Sequence, residues 1–253
     1  MTERRFLGKV ALVTGGGSGI GRTTARAFAR EGATVIVAAR NQSNIEQTTR
    51  MIQADGGTAS SVVTDVTSSA DVEQLIQTIV ERHGRLDIAF NNAGVFLGGP
   101  LHETDEAGWS HALDVNLTGV MLCMKHEINH MRSHAGGVIV NTASNIGPHL
   151  SLPGVSTYGA TKAAVSALTR AAALEYIGEG IRINAVSPGM SDTSMSISPG
   201  ETEDGRAQRA KVDIPVGRVG ALEEIASAVL YLSSDMSEFV VGHDLVIDGG
   251  AAA

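Results

Sequence analysis

The sequence predicts an α/β domain built on a parallel, doubly wound sheet. Three observations carry the prediction. Short apolar runs alternate with helical stretches of about a dozen residues along nearly the whole chain. The first unit reads strand, glycine turn, helix, strand within about thirty residues. Small and polar residues collect where the apolar runs end, and in such sheets ligands lie beyond the carboxyl ends of the strands.

Lys9 to Val13 is a short apolar strand. It runs into Thr14-Gly15-Gly16-Gly17-Ser18-Gly19-Ile20-Gly21, then a helical stretch from Arg22 to Glu31, ended by Gly32. Thr34 to Ala39 is the second strand. Asn44 to Ala54 reads as a helix, Thr58 to Val63 as a strand and Asp71 to Arg82 as an amphipathic helix. Leu86 to Phe90 is a buried strand that ends in Asn91-Asn92-Ala93-Gly94. Asp105 to His134 reads as one or two helices, and Val138 to Asn141 as the next strand. Tyr158 to about Glu175 is an apolar-faced helix; Ile181 to Ser187 is a strand stopped by Pro188-Gly189. Leu222 to Leu232 is helical and Asp244 to Ile247 is the last strand. The least regular stretch, at about 190–216, is long for a connection in a compact domain and reads as a lid. No repeat or linker divides residues 1–253, which predicts a single domain.

Composition excludes several classes. A net charge of −8 argues against nucleic acid or an anionic membrane surface as partner. No apolar run approaches the roughly 18 residues needed to span a bilayer, and the start of the chain does not read as a signal peptide. Cys123 is the only cysteine, so no intrachain disulfide forms and a reducing compartment, the cytoplasm, fits.

The glycine turn lets backbone approach a pyrophosphate, and the helix N-terminus behind it offers free N–H groups. A tight turn without ligand is the plainer alternative. Gly16, Gly21 and Arg22-Thr23 also come close to a phosphate-binding P-loop, but Arg22 stands where that motif needs lysine. The second strand ends Ala38-Ala39-Arg40, with no acid to hold a ribose 2′-hydroxyl. Arg40 either holds a 2′-phosphate through a forked contact or is a solvated loop residue. Asp65, after the third strand, either accepts from an adenine amino group or caps the next helix. Asn116 lies in an apolar stretch and, if buried, needs partners. Tyr158 and Lys162, four apart, share one helix face. A phenol titrates near about 10, and an ammonium beside it would lower that value, giving a proton-transfer pair.

His126-Glu127-Ile128-Asn129-His130 matches the His-Glu-x-x-His pattern of zinc hydrolases. It sits at a helix end that runs straight into Gly136-Gly137, away from the other polar groups, with no third ligand at a motif-like spacing. The expectation is no metal site.

Thr14-Gly15-x-x-x-Gly19-x-Gly21, Asn91-Asn92-Ala93-Gly94, Asn116, Ser144, Tyr158-x-x-x-Lys162 and Pro188-Gly189 together resemble the short-chain dehydrogenase/reductase family, from about residue 8 to 250. The resemblance implies one Rossmann-like domain with about seven parallel strands flanked by helices. It implies a catalytic tetrad of Asn116, Ser144, Tyr158 and Lys162. It implies a cofactor site of Gly15, Gly17, Ser18, Gly19, Ile20, Gly21, Arg40, Asp65, Val66, Asn92, Ala93, Gly94, Tyr158, Lys162, Pro188, Gly189 and Thr193. A basic residue just after the second strand, as Arg40 is, marks users of NADP(H) rather than NAD(H). Met190-Ser191-Asp192 departs from the family pattern before Thr193, and Ser18 stands where some NADP(H) members carry a basic residue. Homotetramers or dimers are usual in the family.

The reaction so implied is hydride transfer between NADP(H) and a ketone or secondary alcohol. In it Tyr158 moves the proton, Ser144 orients the oxygen, Lys162 tunes Tyr158 and binds ribose, and Asn116 holds a relay water. Val95, Asn145, His149, Leu150, Met190 and Met195 are the expected pocket lining, with Asn145 and His149 either fixing a second substrate oxygen or standing as exposed loop residues. A 3-oxoacyl-carrier-protein reductase is the alternative enzyme; it would need basic surface such as Lys125, Arg132 and Arg170. A dinucleotide-binding sensor without turnover is the alternative from another class.

Overall fold

The computed structural model describes residues 4–198 and 200–253. Seven parallel strands form one sheet: β1 (Val10–Thr14), β2 (Thr34–Ala39), β3 (Thr58–Val63), β4 (Ile88–Asn91), β5 (Gly137–Thr142), β6 (Ile181–Pro188) and β7 (Asp244–Ile247). Their order is β3-β2-β1-β4-β5-β6-β7, so the winding reverses between β1 and β4. That switch point opens a crevice at the carboxyl edge, where a Rossmann-like sheet takes its ligand. The strands are parallel because a helix returns the chain after almost every one.

The helices are α1 (Gly19–Arg30), α2 (Gln42–Ala54), α3 (Ser69–His83), α4 (Glu106–Leu113), α5 (Gly119–Arg132), α6 (Ser156–Tyr176), α7 (Glu203–Asp213) and α8 (Leu222–Ser233). Their starts follow local chemistry. Asn41, Ser68, Asp105 and Thr202 each accept a first-turn backbone N–H and cap α2, α3, α4 and α7. Gly84 ends α3 with a φ of 74°, a conformation that only glycine takes without cost. Two apolar layers flank the sheet. One joins it to α3, α5 and α6 through Leu75, Met131, Val165 and Ile183; the other joins it to α1, α2 and α8 through Phe28, Ile52 and Val229. Among the described residues no helix is long and apolar enough to cross a membrane.

Two expectations are corrected. The segment 190–216 is not irregular throughout: it holds the eleven-residue α7. Its acids Glu203 and Asp204 in the first turn and Lys211 in the last suit the helix dipole, a signal stronger than the polar composition that hides it. Asp65 does not cap α3, since Ser68 takes that position and Asp65 folds back to accept from Thr67.

Candidate active site

The glycine loop is held from both sides. Thr14 Oγ1 accepts from the backbone N–H of Asn92 at 3.0 Å and of Ala93 at 3.3 Å, and Asn92 Nδ2 donates to the Thr14 and Gly15 carbonyls at 3.3 Å. The loop after β1 and the loop after β4 thus close on each other across the switch point. Gly15 has a φ of 63° and an added Cβ would lie 2.9 Å from Ala93 Cα, so that position requires glycine, while a Cβ on Gly17 would press on Asn44 Cβ at 3.0 Å. Ser18, at the cap position of α1, makes no side-chain capping bond, which leaves first-turn amides open to an anion. Glycine cradle and open helix start fit the pyrophosphate of a dinucleotide. Arg22 is occupied elsewhere: it donates to the Gly17 carbonyl, to Thr48 at 3.0 Å and to Gln47 at 3.0 Å, so it cannot act as the lysine of a P-loop.

Arg40 is exposed just past β2, and its charge helps hold the Asp65 carboxyl below its usual range, after the larger effect of the Thr67 backbone N–H. Val66 is buried against Gly119, where an added Cβ would come 2.9 Å from Val66 Cγ2. Thr193 lies beside the glycine loop, its methyl 3.3 Å from where a Cβ of Gly19 would stand. Gly189 packs backbone to backbone on Asp248.

The tetrad residues meet beyond β4 and β5. Asn116 is fully buried in a wide, π-helical turn, Asp114–Thr118, between α4 and α5. Its amide is fully employed: Oδ1 accepts from Val95 N–H at 2.8 Å, and Nδ2 donates to the Val95 carbonyl at 2.9 Å and to Thr161 Oγ1 at 3.1 Å. It therefore straps the Val95 loop to α6. Ser144 follows β5 and accepts from Ile146 N–H at 3.1 Å. Lys162 Nζ donates to the Thr142 carbonyl at 2.8 Å and sits 5.8 Å from the centre of the Tyr158 ring.

The electrostatics differ from the sequence expectation in one respect. Burial, not Lys162, dominates Tyr158: it pushes the phenol above its ordinary value, and the Ser144 hydroxyl offsets this in part. Burial also pushes the Lys162 ammonium down to about 8. Each group is short of water, so each charge is costly before the other is counted.

Sequence reasoning missed three features of the site. The Phe96 ring lies 5.1 Å from that of Tyr158, tilted at 54°, and only its place two residues after Gly94 hints at this. The acceptor for Lys162 is a backbone carbonyl, which leaves no side-chain signal. Asn91 does not face the ligand side. It turns inward, where Nδ2 donates to Glu127 at 2.9 Å and to Asn141 at 3.1 Å, and Asn141 Nδ2 donates in turn to Thr169 at 2.9 Å. Glu127 is the glutamate of the His-Glu-x-x-His segment. Its side chain is wholly buried under the sheet edge, whereas His126 pairs with Ser69 at 3.0 Å and His130 Nε2 accepts from Leu86 N–H at 3.2 Å. Burial raises Glu127 to about 7.

Of the expected lining residues, Val95 is held by Asn116 beside Tyr158's helix. Asn145 Nδ2 donates to Asp248 at 3.2 Å, and His149 Nε2 lies 3.0 Å from Asp244. The backbone of Leu150 folds onto Asn145 at 2.8 Å. Met190 faces a cavity of about 110 Å³ with Ile214, Val216, Ile225 and Ile247, and Met195 is half exposed on the lid.

The fold recurs in known proteins. The family model described as enoyl-(acyl carrier protein) reductase matches residues 15–252. The chain belongs to the short-chain dehydrogenase/reductase family. It is 41% identical over 249 residues to a cis-4-hydroxycyclohexanecarboxylate dehydrogenase of Sinomonas cyclohexanicum, covering 98% of each chain. It is 40% identical over 250 residues to a cyclohexanol dehydrogenase of Acinetobacter sp. (strain SE19), covering 98% of this chain and 96% of that one. Among solved structures, levodione reductase superposes with a TM-score of 0.93 at 35% identity, covering 98% of this chain and 99% of that one. Membership makes the protein an oxidoreductase that uses a nicotinamide dinucleotide.

Proposed function

We propose that the protein transfers hydride between NADP(H) and a ketone or secondary alcohol carried on an apolar, alicyclic body. The observation that carries the reading is the buried corner where Ser144 and Lys162 converge on Tyr158. Half-exposed apolar side chains on the loops that follow β4, β5 and β6, namely Phe96, Leu152, Met195 and Ile197, support an apolar substrate. The six-membered ring alcohols named for two relatives support the alicyclic body.

When bound, NADP(H) supplies or accepts the hydride at the substrate carbon. Tyr158 gives its phenolic proton to the carbonyl oxygen in reduction and takes the alcohol proton in oxidation. Ser144 donates to the same oxygen and fixes its direction. Lys162 holds the ribose hydroxyls and stabilises the phenolate as it forms. Asn116 keeps the Val95 turn against α6; its amide is fully engaged there, so a relay water towards Lys162 would be held by the groups around this turn rather than by the Asn116 side chain. Arg40 takes the 2′-phosphate, the glycine loop the pyrophosphate, and Thr193 the carboxamide beside Gly19. Asn92, Ala93, Gly94, Asp65, Val66, Pro188 and Gly189 complete the cofactor walls, and Met190 and Met195 the substrate side. A 3-oxoacyl thioester on an acidic carrier is the competing substrate. It gains little from the basic residues named for it, because Arg132 is paired with Glu179 and Arg170 donates to Ser166. Exposed Met121 on α5 and Leu174 on α6 support self-association, as a homotetramer, and the free buried Cys123 suits the cytoplasm.

The test is a panel of cyclohexanol, cyclohexanone, their 4-substituted derivatives and a 3-oxoacyl thioester, read by reduced-nicotinamide absorbance with each cofactor. We expect the ring substrates to turn over with NADPH preferred, and Arg40→Asp to lower kcat/KM for NADPH by about a hundredfold. A wild type that prefers NADH would overturn the role of Arg40; turnover of the thioester alone would overturn the substrate class.

A further inference from the structure

Asp244, on β7, stands outside the residues the reaction uses, yet three side chains converge on its carboxylate. Its side chain is 5% exposed. Oδ1 accepts from Ser187 Oγ at 2.6 Å, and Oδ2 accepts from Ser166 Oγ at 2.5 Å. Arg170 Nη1 donates to Ser166 at 2.8 Å, which fixes that hydroxyl. A buried carboxylate with its lone pairs so filled has one orientation, set from β6 and α6 together. His149 Nε2, at 3.0 Å from Oδ2, completes the set, and it is the only member from the loop between β5 and α6.

That loop begins at Ser144 and ends at Tyr158. Asn145 N–H anchors its start to the Pro188 carbonyl at the end of β6, and its other amides are tied locally: His149 and Leu150 N–H donate to the Asn145 carbonyl, and Gly147 N–H to the Leu150 carbonyl. A Cβ on Gly147 would lie 2.2 Å from the Gly159 carbonyl oxygen, so the loop bears directly on the turn of α6 that carries Tyr158. Two side chains leave the loop for the far edge of the sheet, Asn145 to Asp248 and His149 to Asp244. The second spans from the loop's middle to a fixed charge.

We infer that His149 is a positioning residue that acts through Asp244, holding the loop between Ser144 and Tyr158 at the spacing the reaction needs. The imidazole is then engaged on β7 and is not a donor to the substrate. A loop that carries one reacting hydroxyl and abuts the other loses turnover when it drifts by about 1 Å. The kinetic side of this inference rests on the proposed hydride transfer; the structural side does not.

The experiment pairs amide hydrogen exchange over residues 145–155 with steady-state kinetics on cyclohexanol, in wild type, His149→Ala, His149→Gln, Asp244→Asn and the double variant His149→Ala/Asp244→Asn. We expect His149→Ala to speed exchange in this segment and to lower kcat/KM, each by about tenfold, with cofactor affinity retained. Asp244→Asn should lower kcat/KM by a similar factor, and the double variant should be no worse than either single one. His149→Gln, which keeps a donor, should recover most of the loss. Unchanged exchange in His149→Ala overturns the inference whatever the kinetics. Losses that multiply in the double variant also overturn it, because His149 would then be acting on the substrate itself. A wild type inert to every alcohol and ketone defeats the proposed function, while the exchange comparison still decides the tether. If Asp244→Asn does not fold, recovery by His149→Gln decides, and failure to recover overturns the inference.

Discussion

Two regions at the carboxyl end of the sheet handle charge in opposite ways. In the centre formed by β4, β5, α5 and α6, burial dominates: it lowers Lys162 to about 8, raises Glu127 to about 7 and raises Tyr158. In the segment after β6, which we propose as a lid, pairing dominates: the Arg209 guanidinium beside Glu201 brings that carboxyl down to about 2. Arg209 donates to both Glu201 oxygens, at 2.7 and 2.8 Å, and to the Ser196 carbonyl at 2.9 Å, while Arg206 reaches Asp192 at 2.7 Å. A charge in the centre is weakly supported, so protons can move there near neutral pH. A charge in that segment is held by its partner across the neutral range, and we propose that the pair acts as a latch. Chemistry therefore belongs to the rigid, dry side, and adjustment to the wet side.

The contrast breaks most visibly at Tyr158. Tyr158→Phe removes the mobile proton and leaves the packing, so turnover should fall by at least about a thousandfold. Affinity for NADPH, followed by its fluorescence, should stay near wild type. Lys162→Ala should damage both, because the ammonium serves ribose and phenol together. A Tyr158→Phe enzyme within tenfold of wild type would remove the centre's claim to the chemistry.

Glu127 sharpens the comparison through stability. Its carboxyl ionises at 4.5 as a free group and at about 7 in the fold. Between those values the folded state holds a proton that the unfolded chain has released, so stability falls as pH rises through this window. Below it nothing is lost; above about 7 the full cost is present, roughly 3 kcal/mol from the size of the shift. Glu127→Gln keeps the acceptor for Asn91 and cannot ionise. The variant should be about that much more stable than wild type at pH 8 and equal to it near pH 4 in denaturant melts. A gap that does not change with pH would mean that Glu127 is not held in a charge-averse site.

Much of this arrangement was legible in the sequence, for reasons of local chemistry. The alternation of apolar runs and helices fixed the sheet, because parallel strands buried on both faces need returning helices. The limits of β2, β3 and β7 match the apolar runs residue for residue, since glycines and polar residues bound them. The glycine loop and Tyr158–Lys162 stood out because their backbone and spacing have few other uses. What escaped were long-range partners. Nothing local says that Glu127 reaches Asn91, 36 residues away in the chain, or that His149 meets Asp244, 95 away. Nor does composition show that α7, polar on nearly every side, folds against the lid by ion pairs rather than by an apolar face.

The smallest expected effect lies at that latch. Arg209 is a third exposed, so its pair with Glu201 is screened by solvent, and a surface pair contributes little. Arg209→Ala should raise KM for the alcohol by about threefold and leave kcat within about twofold. The pH dependence follows from the sign of the Glu201 shift. A carboxyl depressed to about 2 gives its full support above its free value of 4.5 and loses it progressively as pH falls from there through about 2. Across the neutral range the latch is fully charged, so the KM gap between Arg209→Ala and wild type should be the same at about pH 6 and pH 9. It should shrink in about 1 M salt, where the screening length falls to roughly 3 Å. A gap indifferent to salt would mean that Arg209 holds this segment by packing and by its bond to the Ser196 carbonyl rather than by its charge. The lid would then share the centre's dependence on packing, and the division between a dry side and a wet side would fail.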